Sequence, residues 1–231
     1  MMTRTIRTGI AIAGLLIASV AAQAADLPQP TYKAPPYSAP AYANWTGFYV
    51  GINGGYGFGK SSWSGGGVGT GDFNVKGPLA GVTLGYNFQT GVWVWGIEGD
   101  LDYSWIKGST TVVCGDCETR NTWFGTARGR IGYGGWNNLL PYFTGGAAFG
   151  GIKGTVTPPP PFAAISQTKT AIGWTAGVGL EYALWTNWSV KGEYLYADLG
   201  KVTCGGCGGV GADLDVKFKT NLVRLGMNYR F

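Results

Sequence analysis

The chain is predicted to be an all-β protein: an eight-stranded antiparallel transmembrane up-and-down β-barrel with short periplasmic turns and four long extracellular loops. Three observations lead there. Hydrophobic and polar residues alternate with a period of two in eight successive segments. Short and long connections between those segments alternate as regularly as the segments do. Aromatic residues gather at the segment ends, as they do where barrel strands meet the two membrane interfaces. Composition agrees. Of 231 residues 42 are Gly and 13% are charged, which disfavours both helices and disorder.

Residues 1–24 read as a cleaved signal peptide. Arg4 and Arg7 precede the apolar run Gly9 to Val20, and Ala22-Gln23-Ala24 offers an A-x-A cleavage site. Removing the leader lowers Lys+Arg from 17 to 15 against 12 Asp+Glu, a formal charge of +3 and no signature of nucleic-acid binding. Residues 25–43 carry five of the eleven prolines and read as a periplasmic tether. The barrel is expected over residues 44–231.

Segment one sets Phe48, Val50, Ile52, Tyr56 and Phe58 against Tyr49, Gly51, Asn53, Gly55 and Gly57. In the second, Val82, Leu84, Tyr86 and Phe88 oppose Thr83, Gly85 and Asn87. The third has Trp93, Trp95, Ile97, Leu101, Tyr103 and Trp105 against Glu98, Asp100, Asp102 and Ser104. Trp123, Ala127, Ile131 and Tyr133 oppose Thr126, Arg128 and Arg130 in the fourth. The fifth is least clear, with Phe143, Ala147 and Phe149 against Tyr142 and Thr144. Trp174, Ala176, Val178, Leu180 and Tyr182 then face away from Thr175 and Glu181. In the seventh, Trp188, Val190, Tyr194 and Tyr196 oppose Ser189, Lys191 and Glu193. The last sets Val223, Leu225, Met227, Tyr229 and Phe231 against Arg224, Asn228 and Arg230. Strands with one apolar and one polar face follow.

Short connections are expected at 89–91, 134–138 and 183–187, and long loops at about 60–76, 107–120, 152–169 and 198–217. A soluble barrel also shows eight alternating strands, but its apolar face points inward and does not concentrate aromatics at strand ends. With the apolar faces toward lipid, the polar faces enclose five acids (Glu98, Asp100, Asp102, Glu181, Glu193) and five bases (Arg128, Arg130, Lys191, Arg224, Arg230). Enclosed charges must pair, so a lumen salt-bridge network is expected. A gate for small ions built from Glu98, Asp100, Arg128 and Arg130 is the sharper alternative.

Several stretches resemble the alphaproteobacterial outer-membrane immunogenic or opacity-type proteins. They include residues 24–28 before the Pro-rich tether, Trp45 to Gly51, Gly96 to Leu101, Gly125 to Tyr133, Pro141 to Gly146 and Gly173 to Gly177. The resemblance covers nearly the whole mature chain and weakens in the four loops. It implies an eight-stranded barrel in the outer membrane of a Gram-negative bacterium, of a kind labelled porin-like although many members are not open pores. The ending with Met227, Tyr229 and Phe231 is similar to the signal read by the barrel assembly machinery. Expected partners are outer-membrane lipid, lipopolysaccharide and that machinery, with the protein a monomer.

Cys114 and Cys117 form one C-x-x-C and Cys204 and Cys207 another, each in a long loop. The exported compartment favours disulfides, local within each loop or linking the two, over a four-thiolate zinc site. No cofactor is expected. The chain has no His, the usual general base, so it is not expected to be an enzyme. The functional expectation is a structural surface protein of the cell envelope whose loops form an interaction surface. A narrow passive channel and a haem- or host-binding adhesin are the alternatives.

Overall fold

The computed structural model describes residues 43–65, 68–111, 116–158, 161, 163–205 and 213–231. The signal peptide and nearly all of the tether expected from the sequence lie outside them. Nine strands follow in order: β1 (Gly47–Gly65), β2 (Val68–Thr90), β3 (Trp93–Ser104), β4 (Lys107–Thr110), β5 (Asp116–Tyr133), β6 (Leu139–Thr157), β7 (Ile165–Ala183), β8 (Trp188–Cys204) and β9 (Leu214–Arg230). β3 and β4 are successive parts of one stave, since β2 and β5 each pair with both. The break at Trp105-Ile106 is bridged by main-chain bonds, with the Trp105 amide donating to Pro78 and the Asn121 amide donating to Ile106. Eight antiparallel staves thus remain, and β1 pairs with both β2 and β9. The ring closes without a free edge, the condition a sheet must meet to cross a bilayer.

The connections between β2 and β3, β5 and β6, and β7 and β8 are short. The first is a two-residue turn, Gly91-Val92, tighter than residues 89–91 suggested. Gly91 has φ +60°, the left-handed value required at the first central position of a type II′ hairpin. Asn137 holds φ +39° in the second, a region Asn tolerates better than other residues with a side chain.

At the other end the expectation of four long loops needs correction. Only residues 66–67, 111–115, 158–164 and 205–213 separate the strands there. Most of each expected loop is strand, and the seven uninterrupted strands run 17 to 23 residues, where ~9–11 suffice to span a bilayer. The period of two persists while the chemistry of the two faces exchanges. In the membrane the outer face is apolar, with Phe48, Ile52, Leu84, Ile97, Phe143, Ile172 and Leu225 all exposed. Beyond it, Lys60, Asn74, Lys217 and Lys219 point out, while Trp63, Val75, Val216 and Phe218 are buried inside. A barrel wall in water must hide its apolar side, whereas one in lipid must display it. Reading strands only by an apolar outer face therefore ended them too soon.

Aromatic pairs mark both interfaces. Phe48 with Tyr86, Trp93 with Tyr133, and Trp188 with Tyr229 lie toward the short turns, and Tyr103 with Trp105 and Trp174 with Tyr196 toward the loops.

Candidate functional site

Inside the barrel the strands stack three layers. Nearest the short turns, Trp45 packs with Val94, Leu140 and Ala183 in a small apolar cluster. The segment before β1 places Trp45 there, with its amide donating to Gln89 Oε1 at 2.8 Å. On the loop side a larger apolar core fills the lumen, including Trp63, Leu79, Ile106, Phe124, Leu195 and Phe218. Between these two layers lies the charged one.

Arg128 of β5 is its hub. Its guanidinium donates to Glu98 of the neighbouring β3, to Asp100 Oδ2 at 2.7 Å, to Thr126 Oγ1 at 3.0 Å and to Glu193 Oε1 of β8 at 2.8 Å. Arg224 of β9 reaches Asp102 Oδ2 at 3.0 Å, Asp100 Oδ2 at 3.2 Å and Glu193 Oε1 at 2.7 Å. Lys191 donates to Glu98 Oε2 at 2.8 Å. Arg130 is paired with Glu181, and its guanidinium carbon stands 4.2 Å from the Tyr142 ring centre. These nine charged residues are all buried. Geometry of this quality is what allows charges to stay ionised away from water.

Neutral groups complete the set. Tyr49 donates to Glu98 Oε2 at 2.8 Å, and Tyr142 to Glu193 Oε2 at 2.9 Å. Thr83 and Thr126 donate to Asp100, and Ser189 and Asn228 to Glu181. Each phenol lies over a glycine of a neighbouring strand. A Cβ on Gly85 would collide with the Tyr49 hydroxyl, and one on Gly179 with that of Tyr142. The two tyrosines are absent from the sequence-derived set. Their signal was their parity, since both stand on the face opposite the lipid-facing aromatics of their strands.

Arg230 is a correction. It is only half-buried, donates to the Thr186 carbonyl at 2.9 Å and stacks over Trp45 at the barrel mouth, 5.7 Å from the ring centre. The last turn of the ladder carries it past the charged layer. Five acids therefore face four bases inside, where the sequence count gave five of each.

Of the four cysteines, Cys114 and Cys207 lie outside the described residues. Cys117 and Cys204 are buried at the loop end of the apolar core and neither is a free thiol. Met227, Tyr229 and Phe231 lie on the outer face, with the Tyr229 and Phe231 rings 5.3 Å apart. Among the described residues no group of three or more His, Cys, Asp or Glu is arranged to hold a metal ion.

A family model described as "Outer membrane protein beta-barrel domain" matches residues 10–231. The 31 kDa outer-membrane immunogenic protein of Brucella melitensis is 37% identical over 94% of this chain and 99% of its own length. The 25 kDa outer-membrane immunogenic protein of Brucella abortus is 34% identical over 99% of this chain and 100% of its own. Among solved structures, the outer membrane protein OprG from Pseudomonas aeruginosa aligns at 15% identity with a TM-score of 0.47, over 82% of this chain and 99% of that one. The chain belongs to the outer membrane protein β-barrel family, and its place is the outer membrane of a Gram-negative cell.

Proposed function

We propose that the protein is a closed structural barrel of the cell envelope, whose work is to stand rigidly in the outer membrane and present a β-walled surface outside it. One observation carries this reading: the charged layer lies between two apolar layers. An ion entering the lumen would have to shed water against Trp63, Phe124 and Phe218 before meeting any charge. The carboxylates are already engaged: Arg128 bridges Glu98, Asp100 and Glu193, and Arg224 holds Asp102. The same pairing argues against Glu98 and Asp100 as a catalytic carboxylate pair, and relatives known as outer-membrane immunogenic proteins fit a surface role.

Recording from planar bilayers containing the purified protein tests this. Silence is expected. Steady single-channel steps from the unaltered barrel, changed in Arg128→Ala, would replace the closed-barrel reading with the gated channel. A Soret band on haem addition would instead support the adhesin reading. Local disulfides, Cys114 with Cys117 and Cys204 with Cys207, complete the proposal. They would brace the outer rim, and thiol titration with and without reductant tests them.

A further inference from the structure

On the outer wall just beyond the loop-side aromatics, Lys76 of β2, Lys107 of β4, Arg120 of β5 and Lys153 of β6 are direct cross-strand partners in one row. All four point outward; Lys76, Lys107 and Arg120 are exposed and Lys153 is half-buried. Adjacent strands are ~4.8 Å apart, and like charges placed directly opposite one another destabilise a sheet. Arg120 lies 3.6 Å from Glu118. Lys76, Lys107 and Lys153 have no ion-pair partner among the described residues. Glu118 and the exposed Asp116 share the outward face of β5 with Arg120, so the row's four cations stand beside two acids and remain in excess.

Its height is informative. Lys76 lies directly opposite Phe58, and Lys107 is two residues beyond Trp105. Beside Lys76, a groove of about 640 Å³ on β8, β9, β1 and β2 is lined by Phe58, Tyr196, Lys60, Lys217 and Lys219 among others. Two of these lysines are engaged already, Lys60 with Asp72 at 3.8 Å and Lys219 with Asp198 at 3.1 Å.

Building on the reading of this protein as a surface barrel, we propose that the row and its groove bind the phosphate groups of lipopolysaccharide in the outer leaflet. The placement selects this occupant. Cations that greet a soluble polyanion belong at the outer rim, whereas this row starts at the aromatic girdle, with Lys76 opposite Phe58 and Lys107 two residues beyond Trp105, and crosses four neighbouring staves from there along the tilted sheet. Phosphates seated between neighbouring side chains would relieve the cross-strand repulsion, and Phe58 and Tyr196 provide an amphipathic floor.

The test uses protein purified from outer membranes in detergent and native mass spectrometry with bisphosphorylated lipid A or its dephosphorylated form. A preference of about tenfold or more for the phosphorylated lipid is expected, because each cation near an anionic surface adds to the attraction. The combined Lys76→Gln, Lys107→Gln, Arg120→Gln and Lys153→Gln variant should lose it. Lys→Arg at the three lysines should keep it. Retained heat-modifiable gel mobility shows that a variant has folded. Should the fourfold variant fail to fold, Lys107→Gln alone is expected to reduce the preference several-fold. Equal binding of the two lipids overturns the proposal, as does a preference that survives the Gln substitutions. Tighter binding of a sulfated oligosaccharide at the same lysines would assign the row to a soluble polyanion and likewise overturn it. Bilayer conductance of the same preparation separates failure of the closed-barrel reading from failure of this one.

Discussion

Arg128 and Glu193 are separated by 65 residues and stand on non-adjacent staves, yet their side chains meet across the lumen at 2.8 Å. Arg128 also holds Glu98 and Asp100 on the strand beside it, so one guanidinium ties two parts of the wall together. Such a link acts as an internal strut. Its loss leaves carboxylates buried without their cation.

Arg128→Ala is therefore expected to destabilise the barrel by about 3–5 kcal/mol. Urea unfolding in lipid vesicles, followed by tryptophan fluorescence, measures this. A double-mutant cycle with Glu193→Gln should give a coupling energy of about 1 kcal/mol or more, since the residues are in direct contact. Additive effects would mean that the two act independently.

Trp45 closes the periplasmic mouth while contributing to no strand. Truncating so large a buried side chain costs about 3–5 kcal/mol in cores that cannot collapse around the gap. Trp45→Ala should lower stability in that range and free Arg230 from its ring, and the unfolding midpoint reports the change. An unchanged midpoint would show that the cluster with Val94, Leu140 and Ala183 carries no load.

Gly179 is where the Tyr142 hydroxyl lies, directly above the backbone. Gly179→Ala forces the phenol aside and disturbs its bond to Glu193 Oε2. A loss of about 1–3 kcal/mol is expected, the usual penalty of overpacking. Tyr142→Phe in the same background should then cost little, because the hydrogen bond is already compromised. A full additional loss from Tyr142→Phe would contradict that order of events.

Phe231 is largely exposed on the lipid side, and its amide donates to the Phe48 carbonyl at 3.0 Å. Deleting it removes one ladder bond and one ring, so folded stability should fall by about 1 kcal/mol or less. If Met227, Tyr229 and Phe231 serve as an assembly signal, insertion into membranes in cells should slow far more than refolding into pure lipid vesicles. Equal slowing in both would reduce the ending to its structural role.

The membrane half was legible residue by residue. Alternation assigned Ile97 and Leu101 to lipid and Glu98, Asp100 and Asp102 to the lumen, because a strand's two faces are set by parity alone. The outer half was missed because it keeps the parity but reverses the polarity: Val216 and Phe218 turn inward while Lys217 and Lys219 face out. Bulges hide the continuation further, as between Asn121 and Trp123 and between Asp198 and Lys201, where one strand gains residues against its partner.

The sequence by itself determined that this is an outer-membrane barrel, how its strands are ordered, and nine of the ten charges it assigned to the lumen. These follow from local periodicity and from the cost of an unpaired backbone or charge in lipid. Tertiary structure alone decided which acid meets which base, that Arg230 stays at the rim, and that apolar layers seal the charges at both ends. Those outcomes depend on strand register and on distances across the lumen, which bring together residues such as Arg128 and Glu193 that no local pattern relates. Composition also left open what the surplus of cations does. Register answers this in part, by aligning Lys76, Lys107, Arg120 and Lys153 across four neighbouring strands.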